Sequence, residues 1–339
     1  MRRVLVPDRI LPASPAEGSA VFACAGETMG TTWSVRSVAR ADTDQQRQHA
    51  WQRDIQEQLD TVVAQMSHWR DDSDLGRFNR APAASWHVLP DAFFEVLSYA
   101  WSVAAISDGA YDPTAGALVE AWGFGARGRF DEPGFQPPDA AAIAVAQARG
   151  GWRKLAIDSD ARSIRQPGGL QLDLSAVAKG YAVDRVARRL EDRGILHYLV
   201  EVGGELRGSG MKPDQQPWWV ALEAPSATAP ALPETIVALH GLAVATSGDY
   251  RRFYRADNEQ FSHTIDPRNG HPIRNDIASV TVLHTSCMEA DALSTALTVL
   301  GIDAGLRFAE QHALAARFLV RSGDHFIEHA SSAFTALLQ

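Results

Sequence analysis

Along residues 45–66 the apolar positions Trp51, Ile55, Leu59, Val62 and Met66 recur every three or four residues, which predicts one amphipathic helix. A second helix is predicted over residues 91–107, with Phe94, Leu97 and Ala104 on one face and a stop at Asp108-Gly109. Residues 21–38 change period: Thr31, Trp33 and Val35 alternate, as in a strand or hairpin. Further strands are predicted over 154–157, 198–202, 218–222, 242–246, 263–265, 279–283 and 316–320, and helices over 178–193, 289–300 and 304–311. Residues 126–140 and 223–234 are rich in Gly, Pro and Ala and predict surface loops. Residues 1–18 carry no period and are expected to be a loose tail before one domain over 19–339. There is no internal repeat. Hairpin-like strand runs mixed with long helices predict an α+β fold, with mixed or antiparallel sheets and packed helices, over a doubly wound one.

Composition narrows the class. At 45% hydrophobic and 22% charged, this is a folding chain, long enough at 339 residues to bury a core without staples. The formal charge of −9 argues against broad nucleic-acid binding, which draws on Lys and Arg. Two cysteines, Cys24 and Cys287, exclude a Cys-rich zinc site or a disulfide scaffold and read as small core residues. No apolar run of the length a signal peptide needs precedes Cys24, and no run approaches the roughly 20 residues of a membrane span. Cytoplasmic residence is the expectation, periplasmic if a leader has been removed.

Four clusters hold more Gly, Asp, Ser, Thr and His than packing requires. Gly26-Glu-Thr-Met-Gly-Thr31 is a tight turn before a strand. Tyr111-Asp-Pro-Thr-Ala-Gly116 precedes Trp122-Gly-Phe-Gly125, and its Asp112 and Thr114 suit a backbone turn as well as a ligand. Leu172-Asp-Leu-Ser-Ala-Val-Ala-Lys-Gly-Tyr181 runs into a helix whose first N–H groups, with Lys179 nearby, suit an anion, and Asp173 can accept hydrogen bonds. Gly203-Gly-Glu-Leu-Arg-Gly208 follows it, and neither stretch matches an established phosphate loop. In the fourth, Asp291 and Thr295 are four apart and project from one helical face, offering a carboxylate and a hydroxyl of the kind magnesium takes with water and phosphate oxygens. His263, near Asp266, is a candidate general base. Each cluster alone is also what a turn, a cap or a core histidine requires.

Together they resemble a family. The stretches GETMGTTWSV, MSHWRDDSDLGRFN, YDPTAGALVEAWGFG, LDLSAVAKGYAVD, YLVEVGGELRGSG, ATSGDYRRFY, SHTIDPRNGHPI and SVTVLHTSCMEADALSTAL occur in the order of the ApbE family, the FAD:protein FMN transferases, from about Ala25 to Gly301. Ala115, Glu201 and Asn269 depart from the commoner Val, Asn and Thr. The resemblance implies a T-fold-related α+β domain that uses FAD as substrate. It would transfer the FMN half to a threonine or serine hydroxyl of an acceptor flavoprotein with a Ser/Thr-Gly-Ala-Ser/Thr motif, releasing AMP. It also implies that Met29, Trp69, Tyr111, Asp112, Asp173, Lys179 and Ile265 line the flavin and adenine pockets. Mg2+ would be held by Asp291, Thr295 and the carbonyl of Ala176, with His263 as base. The same motifs would serve a magnesium-dependent FAD pyrophosphatase giving FMN and AMP, or a non-catalytic FAD-binding protein.

Overall fold

The computed structural model describes residues 3–7, 14–225, 232–249, 252–256 and 259–338. Its centre is an eight-stranded sheet of β1 (Ser19–Thr28), β2 (Thr31–Arg40), β3 (Tyr198–Val202), β4 (Glu205–Ser209), β5 (Leu242–Gly248), β6 (Ile277–His284), β7 (Ala315–Ser322) and β8 (His325–Ala330). Every neighbouring pair is antiparallel, and the strands lie side by side in chain order. Antiparallel neighbours need only hairpins or a helical excursion. The connections between β2 and β3 and between β6 and β7 supply the helices α1 (Gln45–Met66), α2 (Asp91–Ile106), α3 (Ala178–Asp192) and α4 (Cys287–Gln311).

These helices cover one face of the sheet. Ile55, Leu59, Val62 and Met66 of α1 meet Tyr181, Val183, Val186 and Leu190 of α3 and the inward side chains of the sheet in one buried cluster. The other face is closed by Arg3–Leu5, Trp218–Ala221 and Thr235–Leu239, a small sheet whose Leu5, Trp218 and Leu239 pack on Val38, Val244 and Leu283. A third cluster joins Trp122 and Phe124 to Tyr254 and Phe261 of the hairpin Phe253–Ala256/Glu259–Ser262.

The expected α+β class stands, and α1 has the expected ends. Several local expectations are corrected. Within the stretch expected to be a loose tail, Arg3–Leu5 pairs in parallel with Thr235–Leu239; residues 8–13 lie outside the described residues, as do 226–231 of the expected 223–234 loop. In α2 the buried positions are Phe93, Val96, Leu97, Ala100, Val103 and Ala104, so Phe93 rather than Phe94 leads the inner face. The run 154–157 is a 3-10 turn over Trp152–Lys154 followed by strand Ala156–Asp158. The run 263–265 pairs only at Ile265–Asp266, because the hairpin before it ends at Ser262. The two helices expected after residue 289 are both present, as the halves of α4 on either side of Gly301, whose φ of 77° breaks the helix where the gap between them was expected. By length and composition α4 alone among the described residues could cross a membrane, with a mean hydropathy of 1.3. Here it packs against β5 and β6, so its apolar surface is already matched by the core.

The contact that sets the site is the crossing of α3 over α4. Asp184, fully buried on α3, accepts hydrogen bonds from Cys287 N (3.0 Å), Met288 N (3.0 Å) and Ser286 Oγ (2.7 Å), satisfying the first N–H groups of α4. Arg207 of β4 donates to the same carboxylate at 2.8 Å, so the buried charge is matched. One turn earlier the backbones nearly touch at Gly180: a Cβ there would stand 2.3 Å from Cys287 O and 2.8 Å from Asp291 Cβ. Gly180→Ala is therefore expected to push the helices apart and cost about 2 kcal/mol, the scale of overpacking a core. Urea unfolding monitored by circular dichroism should show it, and an unchanged midpoint would contradict the crossing.

Candidate active site

The N-terminal turn of α3, the middle of α4, the end of β5 and the strand after the 253–262 hairpin meet around one cavity of about 340 Å³. Its walls include Tyr111, Asp112, Asp173, Ala176, Lys179, His263, Ile265, Asp291 and Thr295. Nine of the eleven residues expected at the site thus come together from segments distant in the chain. Trp69 lines an adjoining cavity of about 640 Å³ that shares Asp173 and Val119 with the first. The larger space carries less of the chemistry. Met29 lines neither cavity; it packs on the main core from the β1–β2 turn, with φ 51°. That turn, Met29-Gly30, has positive φ at both residues, a hairpin geometry that normally takes Asn or Gly. A methionine held there carries about 1 kcal/mol of backbone strain.

The metal candidates fit a hard cation. Asp291 is buried; one oxygen accepts from Gly180 N at 2.9 Å, and the other accepts no hydrogen bond among the described residues. Burial raises its pKa, against the pull of Lys179 and the Gly180 N–H, as expected of a carboxylate short of positive charge. Thr295 Oγ lies 2.9 Å from Ser247 Oγ and borders the same space as Ala176. No group of three or more His, Cys, Asp or Glu forms a metal cluster among the described residues, so any ion here would rest on sparse protein ligation. That is the style of magnesium, which keeps waters and phosphate oxygens.

Lys179 is held between two acids. Its Nζ is 2.6 Å from Glu205 Oε1; burial works against its charge, but Glu205 and Asp291 hold its pKa above the ordinary lysine value. Burial pushes Glu205 up to about 7, and its Oε2 is buried with no partner among the described residues. The Tyr111 hydroxyl is likewise buried without a partner among the described residues. Two orphaned polar atoms beside one cavity call for a ligand that would satisfy them. Glu205 was not among the expected residues, although it belongs to the Gly203–Gly208 cluster. It is placed by the two-residue turn Gly203-Gly204, where Gly203 fits against Thr31 and Lys179.

Asp112 and Asp173 are mostly satisfied by their own turns. Asp112 accepts from Thr114 N and Oγ at 2.8 and 2.6 Å and from Trp152 N at 3.0 Å. Asp173 accepts from Ser175 N and Oγ at 2.8 and 2.5 Å, with His68 Nδ1 3.7 Å away. Burial would raise the Asp173 pKa, but His68 and Ser175 outweigh it and keep it lowered.

His263 lies near Asp266 in sequence but bonds to the backbone instead. The Asp266 carboxylate is engaged by Arg268 at 2.9 Å through both oxygens, while His263 Nδ1 lies 3.0 Å from Arg252 O. A carbonyl only accepts, so Nδ1 carries the proton and Nε2 is left as the basic nitrogen. Burial, with Arg252 and Lys179 nearby, pushes the His263 pKa down to about 4. The half-buried ring lies between cavity walls that withhold water from the imidazolium.

The cavity of this α+β domain gathers a lysine, an arginine, four carboxylates and five serine or threonine hydroxyls, side chains whose chemistry suits a phosphate-bearing ligand accompanied by a cation. The model of the ApbE family matches residues 29–318, and the chain belongs to that family. It is 38% identical over 313 residues to the FAD:protein FMN transferase of Vibrio cholerae, covering 92% of this chain and 91% of that protein. It is 35% identical over 323 residues to the FAD:protein FMN transferase of Haemophilus influenzae, covering 94% and 92%. Among solved structures, the flavinyl transferase ApbE of Pseudomonas stutzeri in its apo form superimposes with a TM-score of 0.85 at 40% identity, covering 94% of this chain and 97% of that one. The flavin transferase ApbE of Vibrio cholerae also gives 0.85, at 36% identity, covering 94% and 99%.

Because His263 has a folded-state pKa below its unfolded value, its neutral form stabilises the fold above about pH 6.5, and that contribution fades as pH falls toward 4. Imidazole NMR of the ligand-free protein, assigned by difference against His263→Gln, should give a midpoint near 4 and the Nδ1–H tautomer at pH 6. A midpoint at 6.5 would contradict the site geometry.

Proposed function

We propose that this chain is an FAD:protein FMN transferase that places FMN on a threonine or serine hydroxyl of an acceptor flavoprotein, with magnesium as its cation. The observation that carries the proposal is the gathering of Lys179, Asp291, Thr295 and His263 around one cavity from three separate segments. Membership of the family and the activity named for relatives covering over 90% of this chain support the same reading.

The chemistry follows from charge. An alcohol attacking a pyrophosphate approaches two negative groups, and attack is opposed until that charge is matched. Lys179 supplies one cation at the cavity wall. Asp291, Thr295 and the Ala176 carbonyl would hold magnesium, which neutralises pyrophosphate charge and eases departure of AMP. Tyr111 and Ile265 flank the ligand space, with Trp69 at its junction with the larger cavity. The acceptor oxygen bonds to the phosphorus on the FMN side, the bond from that phosphorus to the bridging oxygen breaks, and AMP leaves with that oxygen. The proton of the hydroxyl passes to Nε2 of His263, which is unprotonated at pH 7. The pyrophosphate charge beside the ring favours imidazolium, so bound substrate raises the basicity that burial lowers.

Incubating the protein with FAD, magnesium and an acceptor domain, followed by mass spectrometry, should show one FMN added to a hydroxyl side chain. Free FMN and AMP with an unmodified acceptor would instead mean hydrolysis. His263→Ala is expected to bind FAD within about threefold of the parent and to lose transfer by about a hundredfold or more, the scale of general-base catalysis. Transfer at the parental rate would remove His263 from the chemistry.

A further inference from the structure

The cavity contains a second cation that none of the assignments above uses. Arg252 lines it beside His263, ahead of the strand Phe253–Ala256. Its Nη2 donates to Phe124 O at 2.9 Å, and its guanidinium carbon lies 5.9 Å from the Trp69 ring centroid and 5.8 Å from that of Phe124. The backbone bond and the two rings fix the plane of the group, while its other donors make no bond among the described residues. No carboxylate among the described residues lies within ion-pair distance of it. Asp173 attracts it from further off, and Asp131 is already paired with Arg129. Lys179, by contrast, is matched by Glu205. Among the described residues Arg252 is thus the wall's positive charge without an ion-pair partner, beside Trp69 of the larger cavity and next to the proposed base.

Resting on the FAD reading above, we propose that Arg252 binds the phosphoryl group that is transferred, on the side of the pyrophosphate away from Asp291. A planar fork of donors suits phosphate oxygens, and in a partly desolvated site such a contact is worth about ten- to a hundredfold in affinity. Arg252 also orients His263, but through its backbone carbonyl, which survives substitution.

Two variants of the full chain, Arg252→Gln and Arg252→Lys, separate these roles by calorimetric titration in magnesium with FAD and with riboflavin, which has the ring but no phosphate. Arg252→Gln should bind FAD about ten- to a hundredfold more weakly than the parent and riboflavin within twofold, and Arg252→Lys should recover part of the loss. Equal weakening toward both ligands would overturn the proposal in favour of ring stacking through Trp69. Unchanged FAD affinity would overturn it outright while leaving the transferase reading intact. A parent protein that binds no FAD would overturn both.

Discussion

One buried carboxylate governs the arrangement of this protein. Asp291 stands where α3 crosses α4, hydrogen-bonded to the backbone of Gly180 and facing Lys179. An acid in such a place is costly unless a cation answers it. The fold keeps it there by tying the two helices together one turn further on, where Asp184 caps α4 and Arg207 matches Asp184. Gly180 lets the backbones approach, so the lysine-bearing turn and the Asp291–Thr295 face share one space. The site is a consequence of how two helices pack on one sheet.

The rest of the cavity balances that choice. Glu205 faces Lys179 from the β3–β4 turn, and the Glu205 and Asp291 pKa values are raised because burial favours their neutral forms. Four acidic side chains against one lysine and one arginine leave the cavity lining short of positive charge. A bare nucleotide pyrophosphate would add to the excess, whereas the same pyrophosphate with a dication would not. The electrostatics therefore favour a metal-bound dinucleotide over a free anion.

Much of this was legible in the chain and some was not, for physical reasons. The period of α1 announces its ends because five apolar residues share one face and polar residues fill the rest. The spacing of Asp291 and Thr295 places them on one helical face from sequence alone. Three-residue strands such as Arg3–Leu5 have too few positions to show a period, and His325–Ala330 has a largely half-buried pattern. The chain-order sheet cannot be read from any single strand, since register is a property of pairs. Glu205 and Arg252 were missed because charged residues at the first position of a strand or just before one ordinarily face water; only tertiary packing turns both into the cavity. That His263 turns to the Arg252 carbonyl could not be read from its nearness to Asp266, whose carboxylate is engaged by Arg268 two residues on through a local turn.

The central claim is that the Asp291 carboxylate anchors a divalent cation against the dinucleotide. Manganese, a spectroscopic substitute for magnesium, tests it most directly through an electron paramagnetic resonance titration of the protein with FAD present. The account predicts one bound ion per chain in the parent protein and at least tenfold weaker binding in Asp291→Asn, with FAD itself still bound. Equal manganese affinity in the two proteins would contradict it.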